Sequence, residues 1–264
     1  MKRIAPCAFF VLLLTVLTCA TQASSPRAEF QIESGAIVRG PTNSRQIALV
    51  FTAHTYAEGA DAMCHSLESH HAHASFFLTG DFLINPQFAP IVRRIIHDGD
   101  YIGPHSDKHL LYCDWGKDRK TLVSQEQFNH DVDANLHKIE HFGIPRAQIT
   151  CFLPAYEQPN EQIADWSQQL GLTLINYTPG TRSNADYTSE KDRNFVSSQA
   201  IYDSILKKEQ SDSHGLNGFI LLLHLGVGPT RSDKFTGHFD ALLDYLQKRG
   251  YQFVRVDDLL GIRK

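Results

Sequence analysis

Ala48-Leu49-Val50-Phe51-Thr52-Ala53-His54 is almost wholly apolar until it ends on a histidine. A strand with one wet face alternates polar and apolar side chains. A continuous apolar run is the pattern of a strand buried on both faces, as in a parallel sheet. The same form recurs at 74–79, 101–105, 149–154, 173–178, 218–224 and 252–256. Between these runs lie stretches with apolar residues at helical spacing: 57–71, 86–98, 125–142, 160–170, 197–210 and 233–249. Gly99, Gly143, Gly171 and Gly250 follow several of them, where a helix end favours glycine. About seven alternating strand–helix units predict an α/β fold with a parallel sheet, closed into a barrel or open and doubly wound. No Gly-x-Gly-x-x-Gly follows the first strand, which argues against a dinucleotide site.

The chain outside these units bounds its setting. Lys2 and Arg3 precede an apolar run from Ile4 to about Leu17, then small residues at Ala20 and Ala23. That order predicts a signal peptide over 1–23 and export to the periplasm or the medium. The run is short for a membrane span, so no stable membrane insertion is expected after cleavage. Cys19 offers lipoprotein anchoring as a secondary option, although Leu17-Thr18 is a poor approach to it. Residues 24–44, rich in Ser, Gly and Pro, read as a linker or N-terminal arm, and 45–264 as one domain. Hydrophobic residues make up 42% and charged residues 20%, enough for a sizeable core. A formal charge of -4 without a basic stripe argues against nucleic acid as a partner. Cys64, Cys113 and Cys151 remain after the signal; they read as buried small side chains, with one disulfide open to them and no way to choose the pair.

The chain has 14 His, and several stand where strands end. His105 and His109, in Gly-Pro-His-Ser-Asp-Lys-His, are four residues apart, which on one helical turn puts both rings on one side. Two neutral imidazoles make half of a divalent-metal site. His54 is the candidate third ligand, with Asp107 as the alternative. His224 ends Phe219-Ile220-Leu221-Leu222-Leu223-His224, where partial desolvation suits acid–base work. Glu157, after Phe152-Leu153-Pro154-Ala155-Tyr156, is a candidate base, or a helix-terminal carboxylate. The run from Asn176 to Thr188 reads as a polar loop with sugar-binding side chains: Asn176, Arg182 and Tyr187 beside Tyr156. In a barrel, strand C-termini share one mouth, so these residues would converge.

Together these residues resemble the NodB-type polysaccharide deacetylases, carbohydrate esterase family four. The likeness covers about 46–256. Its signatures match at His105-Ser106-x-x-His109 and Leu221-Leu222-Leu223-His224, and partly at Leu153-Pro154-Ala155-Tyr156. Ala74-Ser75-Phe76-Phe77-Leu78-Thr79-Gly80 is similar to the family's second strand. The resemblance implies a distorted (β/α) barrel and a metal-dependent hydrolase removing N- or O-linked acetyl groups from a polysaccharide. It implies a divalent metal, zinc with cobalt or nickel as alternatives, at His105 and His109, with His54 replacing the family's Asp ligand by a one-residue shift. His224 would protonate the leaving group, and the Tyr156 backbone N–H would help hold the oxyanion. The first signature departs: Thr52 and Ala53 stand in its two Asp positions, and Leu153 stands where the family has the Arg that orients the base. Glu157 or Asp107 is then the candidate base. A carbohydrate-binding protein without turnover, or a purely structural metal site, are the rival expectations.

Overall fold

The computed structural model describes residues 1–2 and 30–264. Apart from residues 1–2, the stretch read as an export signal, with Cys19, lies outside the described residues. Seven strands match the expected runs: β3 (Gln46–Ala53), β4 (Ala74–Leu78), β5 (Tyr101–Pro104), β6 (Cys151–Phe152), β7 (Thr173–Leu174), β8 (Phe219–His224) and β9 (Gln252–Phe253). Each pairs in parallel with another of the seven. Every residue of β4 is buried, and β3 and β8 are buried but for one terminal residue each. Burying one Leu, Ile or Phe side chain of such a strand contributes roughly 1.5–3 kcal/mol.

The stretch expected as a linker or arm is instead partly structural. Residues 30–44 carry β1 (Gln31–Glu33) and β2 (Ala36–Arg39), an antiparallel hairpin whose inner strand is fully buried and pairs antiparallel with β8. Ile37 and Val38 are apolar among Gly and Ser, too few to show a period, so composition hid the strand. The sheet is therefore mixed, in the order β1-β2-β8-β3-β4-β5, with β9 beside β3. It curls. Leu153 N–H reaches Pro104 O (3.4 Å) at one seam, and Asn176 N–H reaches Ile37 O (2.9 Å) at the other, so β6 and β7 complete a distorted barrel with few hydrogen bonds.

Outside the sheet pack α1 (Ala60–Ser69), α2 (Gly80–Ile84), α3 (Ala89–His97), α4 (Gln125–Glu140), α5 (Glu161–Gln169), α6 (Ser198–Ser211), α7 (Thr236–Gln247) and α8 (Val256–Leu259). Ser124 and Gln127 form a reciprocal capping box that starts α4. Cys64, Cys113 and Cys151 are free and buried, and burial pushes the Cys64 and Cys151 thiols up to about 12 and Cys113 to about 11. Among the described residues no helix is long and apolar enough to cross a membrane.

Candidate active site

The C-terminal ends of the parallel strands open on one cavity of about 690 Å3. His54 enters it from the end of β3, His105 and His109 from beyond β5, and Tyr156 and Glu157 from beyond β6. Asn176 follows β7, and His224 closes β8. Tyr187 lines it from the long loop, together with Trp115, Arg119 and Tyr177.

His105 and His109 do not share a helical turn. The segment after β5 is a loop, and His109 has a left-handed backbone at φ 54. The loop is shaped by side chains instead. Ser106 Oγ accepts the Leu110 N–H (2.8 Å), and Asp131 accepts the N–H groups of Asp107 and Lys108 at 2.9 and 3.2 Å. Asn135 accepts the His105 N–H and donates to Leu78 O, tying β5 to β4. Asp131, Asn135 and Lys138 lie at positions i, i+4 and i+7 of α4, one face turned to this loop. The rings still meet: His105 and His109 centroids are 5.4 Å apart, and His54 stacks on His109 at 4.6 Å.

A fixed hydrogen bond sets the tautomer of His105. His105 Nδ1 lies 2.8 Å from Leu153 O, which can only accept, so Nδ1 carries the proton and Nε2 is a free lone pair. His54 Nδ1 is bonded to Thr79 Oγ1 (3.1 Å). Burial, then the neighbouring His109, holds the His105 ring well below its ordinary pKa. Burial and the His54 and His224 rings push His109 down to about 4, and burial also lowers His54. All three stay neutral at neutral pH, the form that ligates metal. The donor chemistry fits an ion, but the ring placement is not a finished cage. His54 and His109 lie nearly parallel, at 8°, and among the described residues no group of three or more His, Cys, Asp or Glu side chains stands ready to hold one.

Opposite these rings stands a His–Asp pair. Asp186, 1% exposed, accepts from His224 Nδ1 at 2.7 Å and from its backbone N–H at 2.9 Å. Burial alone would lower the His224 pKa, but the carboxylates of Asp186 and Glu157 outweigh it and the net direction is upward. Asp186 was invisible as a partner in the sequence. It sits inside the polar 176–188 run, 38 residues from His224, with no spacing to mark it. Its loop is clamped by Arg231, itself fully buried, which donates to Thr188 O, Val196 O and Ser198 Oγ.

Glu157 follows Tyr156 in a pair of left-handed residues, φ 62 and 54. Asn176 Nδ2 donates to Glu157 O (2.9 Å), so this side chain supports the turn as well as lining the cavity. The Glu157 carboxylate is 3.9 Å from His105 Nε2, and burial raises its pKa to about 7. Non-glycine residues with positive φ concentrate here: Ser34, His109, Arg119, Tyr156 and Glu157 all line the cavity. Such strain gathers at functional sites.

Two expected residues lie elsewhere. Asp107 is absent from the cavity wall. Its carboxylate faces α4, bonded to Lys138 Nζ at 2.5 Å, because the loop turns it toward Gly80. A Cβ on Gly80 would stand 1.7 Å from Asp107 Oδ1, so glycine is required for that approach. Arg182 is exposed, also outside the cavity.

Residues 39–175, just over half of the chain, match the polysaccharide deacetylase family profile. The chain belongs to the polysaccharide deacetylase family. This deacetylase-family chain is 25% identical over 227 residues to a peptidoglycan-N-acetylglucosamine deacetylase, PgdA, of Listeria monocytogenes. The match covers 85% of the chain but only 41% of PgdA. Its fold is similar to that of Bacillus subtilis PdaA, a family 4 carbohydrate esterase: TM-score 0.65, 22% identity, 86% of each chain covered. It is also similar to a CE4 family pseudoenzyme from Bacillus anthracis, with TM-score 0.66 and 16% identity over 88% of this chain and 71% of that one. The polysaccharide deacetylase family is typically metal-dependent.

Proposed function

We propose that this family member is an exported hydrolase that removes acetyl groups, N- or O-linked, from a polysaccharide. The observation that carries the proposal is one cavity holding a His224–Asp186 pair and a Glu157 carboxyl raised to about 7, beside three neutral imidazoles. Peptidoglycan is the polymer the listerial relative suggests. The basic, apolar and small-residue order over 1–23, read as a signal peptide, supports export to the periplasm or the medium.

His54, His105 and His109 are the residues that would hold the divalent ion, zinc before cobalt or nickel. When bound, such an ion supplies Lewis acidity at the acyl oxygen and lowers the pKa of water. The protein's own groups carry the protons. Glu157 takes a proton from the attacking water as its oxygen bonds to the acyl carbon. His224, protonated, gives a proton to the departing amine or alcohol as the carbon–nitrogen or carbon–oxygen bond breaks. Asp186 holds Nδ1–H, so Nε2 is the nitrogen turned to the substrate. The Tyr156 backbone N–H would help hold the oxyanion.

Acetate release from chitooligosaccharides, acetylxylan and peptidoglycan, with added zinc or cobalt, tests the reading. Wild type should exceed His105→Ala and Glu157→Gln by about a hundredfold. Equal release from all three proteins sinks it. A second reading, glycan binding without turnover, is favoured by Thr52, Ala53 and Leu153 at positions where the resemblance puts two Asp and an Arg. Thr52 Oγ1 is buried on the cavity wall with no hydrogen-bond partner. Binding that survives chelation, with no acetate released, would select it.

A further inference from the structure

The His224–Asp186 contact joins a strand end to an irregular loop. His224 closes β8, so the sheet fixes its backbone. Asp186 lies between β7 and α6, just after one tight helical turn at Ser183–Ala185. Residues 187–197 beyond it carry no helix or strand. A segment of that kind moves unless something ties it down. Asp186 nonetheless stands 2.7 Å from His224 Nδ1.

Arg231 supplies the tie. It belongs to the loop that leaves β8, it is 0% exposed, and it does not line the cavity. Its guanidinium donates to Asp233 O, Thr188 O, Val196 O (3.0 Å) and Ser198 Oγ (3.1 Å), and lies 5.1 Å from the Phe195 ring centre. Thr188 passes the tie on. Its N–H and its hydroxyl both donate to Ala185 O, at 3.0 and 2.7 Å, the carbonyl of the peptide that leads into Asp186. Glu190 closes the clasp from outside, accepting from Ser232 N–H (3.0 Å), Ser232 Oγ (2.7 Å) and Asp233 N–H (2.9 Å). The carboxylate closest to the guanidinium, Asp233, stands 3.7 Å away. A buried cation without a tight carboxylate partner is costly, and apolar side chains of like size often stabilise a fold as well. What they lack is the planar fork of donors, which reaches several carbonyls of one loop at once.

We infer that Arg231 is a positioning residue: through Thr188 it holds Asp186 against His224, and so sets the direction of the His224 ring. The inference rests on the hydrolase reading above for its catalytic consequence, but not for its geometry. Proton NMR of the full chain tests it, reading the downfield resonance of His224 Nδ1–H, identified by its loss in Asp186→Asn. Arg231→Met and the milder Thr188→Val should each lose or broaden that resonance. In both, kcat for acetate release should fall about tenfold or more while KM stays unchanged. Arg39→Met serves as the control. It removes another buried arginine that donates to loop carbonyls, Asn217 O and Gly215 O. It should destabilise the fold yet keep both the resonance and kcat. If Arg231→Met fails to fold, Thr188→Val decides. A resonance that survives in Thr188→Val or in folded Arg231→Met, that Arg39→Met loses equally, or that wild type lacks would overturn the inference. Its loss in the two loop variants, in a protein that releases no acetate, would leave the inference standing and sink the hydrolase instead.

Discussion

His224 and Glu157 are the two groups whose surroundings push them toward proton transfer near neutral pH. Asp186 is what raises the His224 pKa against the cost of burial. Asp186→Asn removes that charge, so the His224 pKa falls. A general acid works while protonated, so the alkaline limb of the kcat/KM profile should move to lower pH, with kcat reduced about a hundredfold or more. A limb that stays in place would show that His224 is not the acid. His224 was legible because it caps an apolar strand. Asp186 was not, because only the folded 176–188 loop brings it within 2.7 Å. Asp107 failed for a related reason. Its place beside two histidines in sequence says nothing about its direction, and the loop aims it at Lys138.

At the scale of elements, α4 does more than cover the sheet. Its Asp131, Asn135 and Lys138 satisfy the buried backbone and side chain of the His105–His109 loop. Asn135→Ala leaves the His105 N–H and Leu78 O without that partner. It should cost about 2 kcal/mol in urea denaturation and lower the occupancy of any bound ion. Gly80→Ala should cost about as much, since Asp107 must retreat from the new Cβ. An unchanged denaturation midpoint in Gly80→Ala would mean that the loop accommodates it freely. The apolar runs of the strands showed where the loops begin, but not that a helix 20 to 30 residues later would shape one of them.

For the whole molecule, two ion-linked features make stability depend on pH. Arg39 of β2 reaches Asp212 beyond α6 at 3.1 Å, both largely buried, and locks the N-terminal hairpin to the domain. Asp212 is opposed by burial but held well below the usual carboxylate range by Arg39 and Lys208. Its contribution is full above the unfolded carboxylate value of about 3.9 and is lost as pH falls further. Arg39→Met should cost about 3 kcal/mol at pH 7, and the difference from wild type should shrink in strong acid. The histidine cluster acts in a higher window. The unfolded chain takes up a proton on His109 near 6.5, while the folded one resists until about 4. Metal-free protein should therefore lose about 3 kcal/mol between those values, measured by urea titration at each pH. His109→Asn should flatten that slope. Zinc should raise the melting temperature of wild type more at pH 7.5 than near pH 4, where a proton on His109 competes for the same nitrogen. A zinc effect equal in His54→Ala, His105→Ala and wild type would remove these histidines as ligands.

The sequence by itself determined the seven strands that pair in parallel and the face on which chemistry gathers. Strands buried on both sides leave no freedom in composition, and their C-terminal ends in an α/β barrel share one mouth. Only the tertiary structure decided that residues 31–39 form sheet, that Asp186 pairs with His224, and that Asp107 and Arg182 stand outside the cavity. These depend on loop geometry and on contacts between residues far apart in the chain. Neither leaves a periodic trace in the order of amino acids.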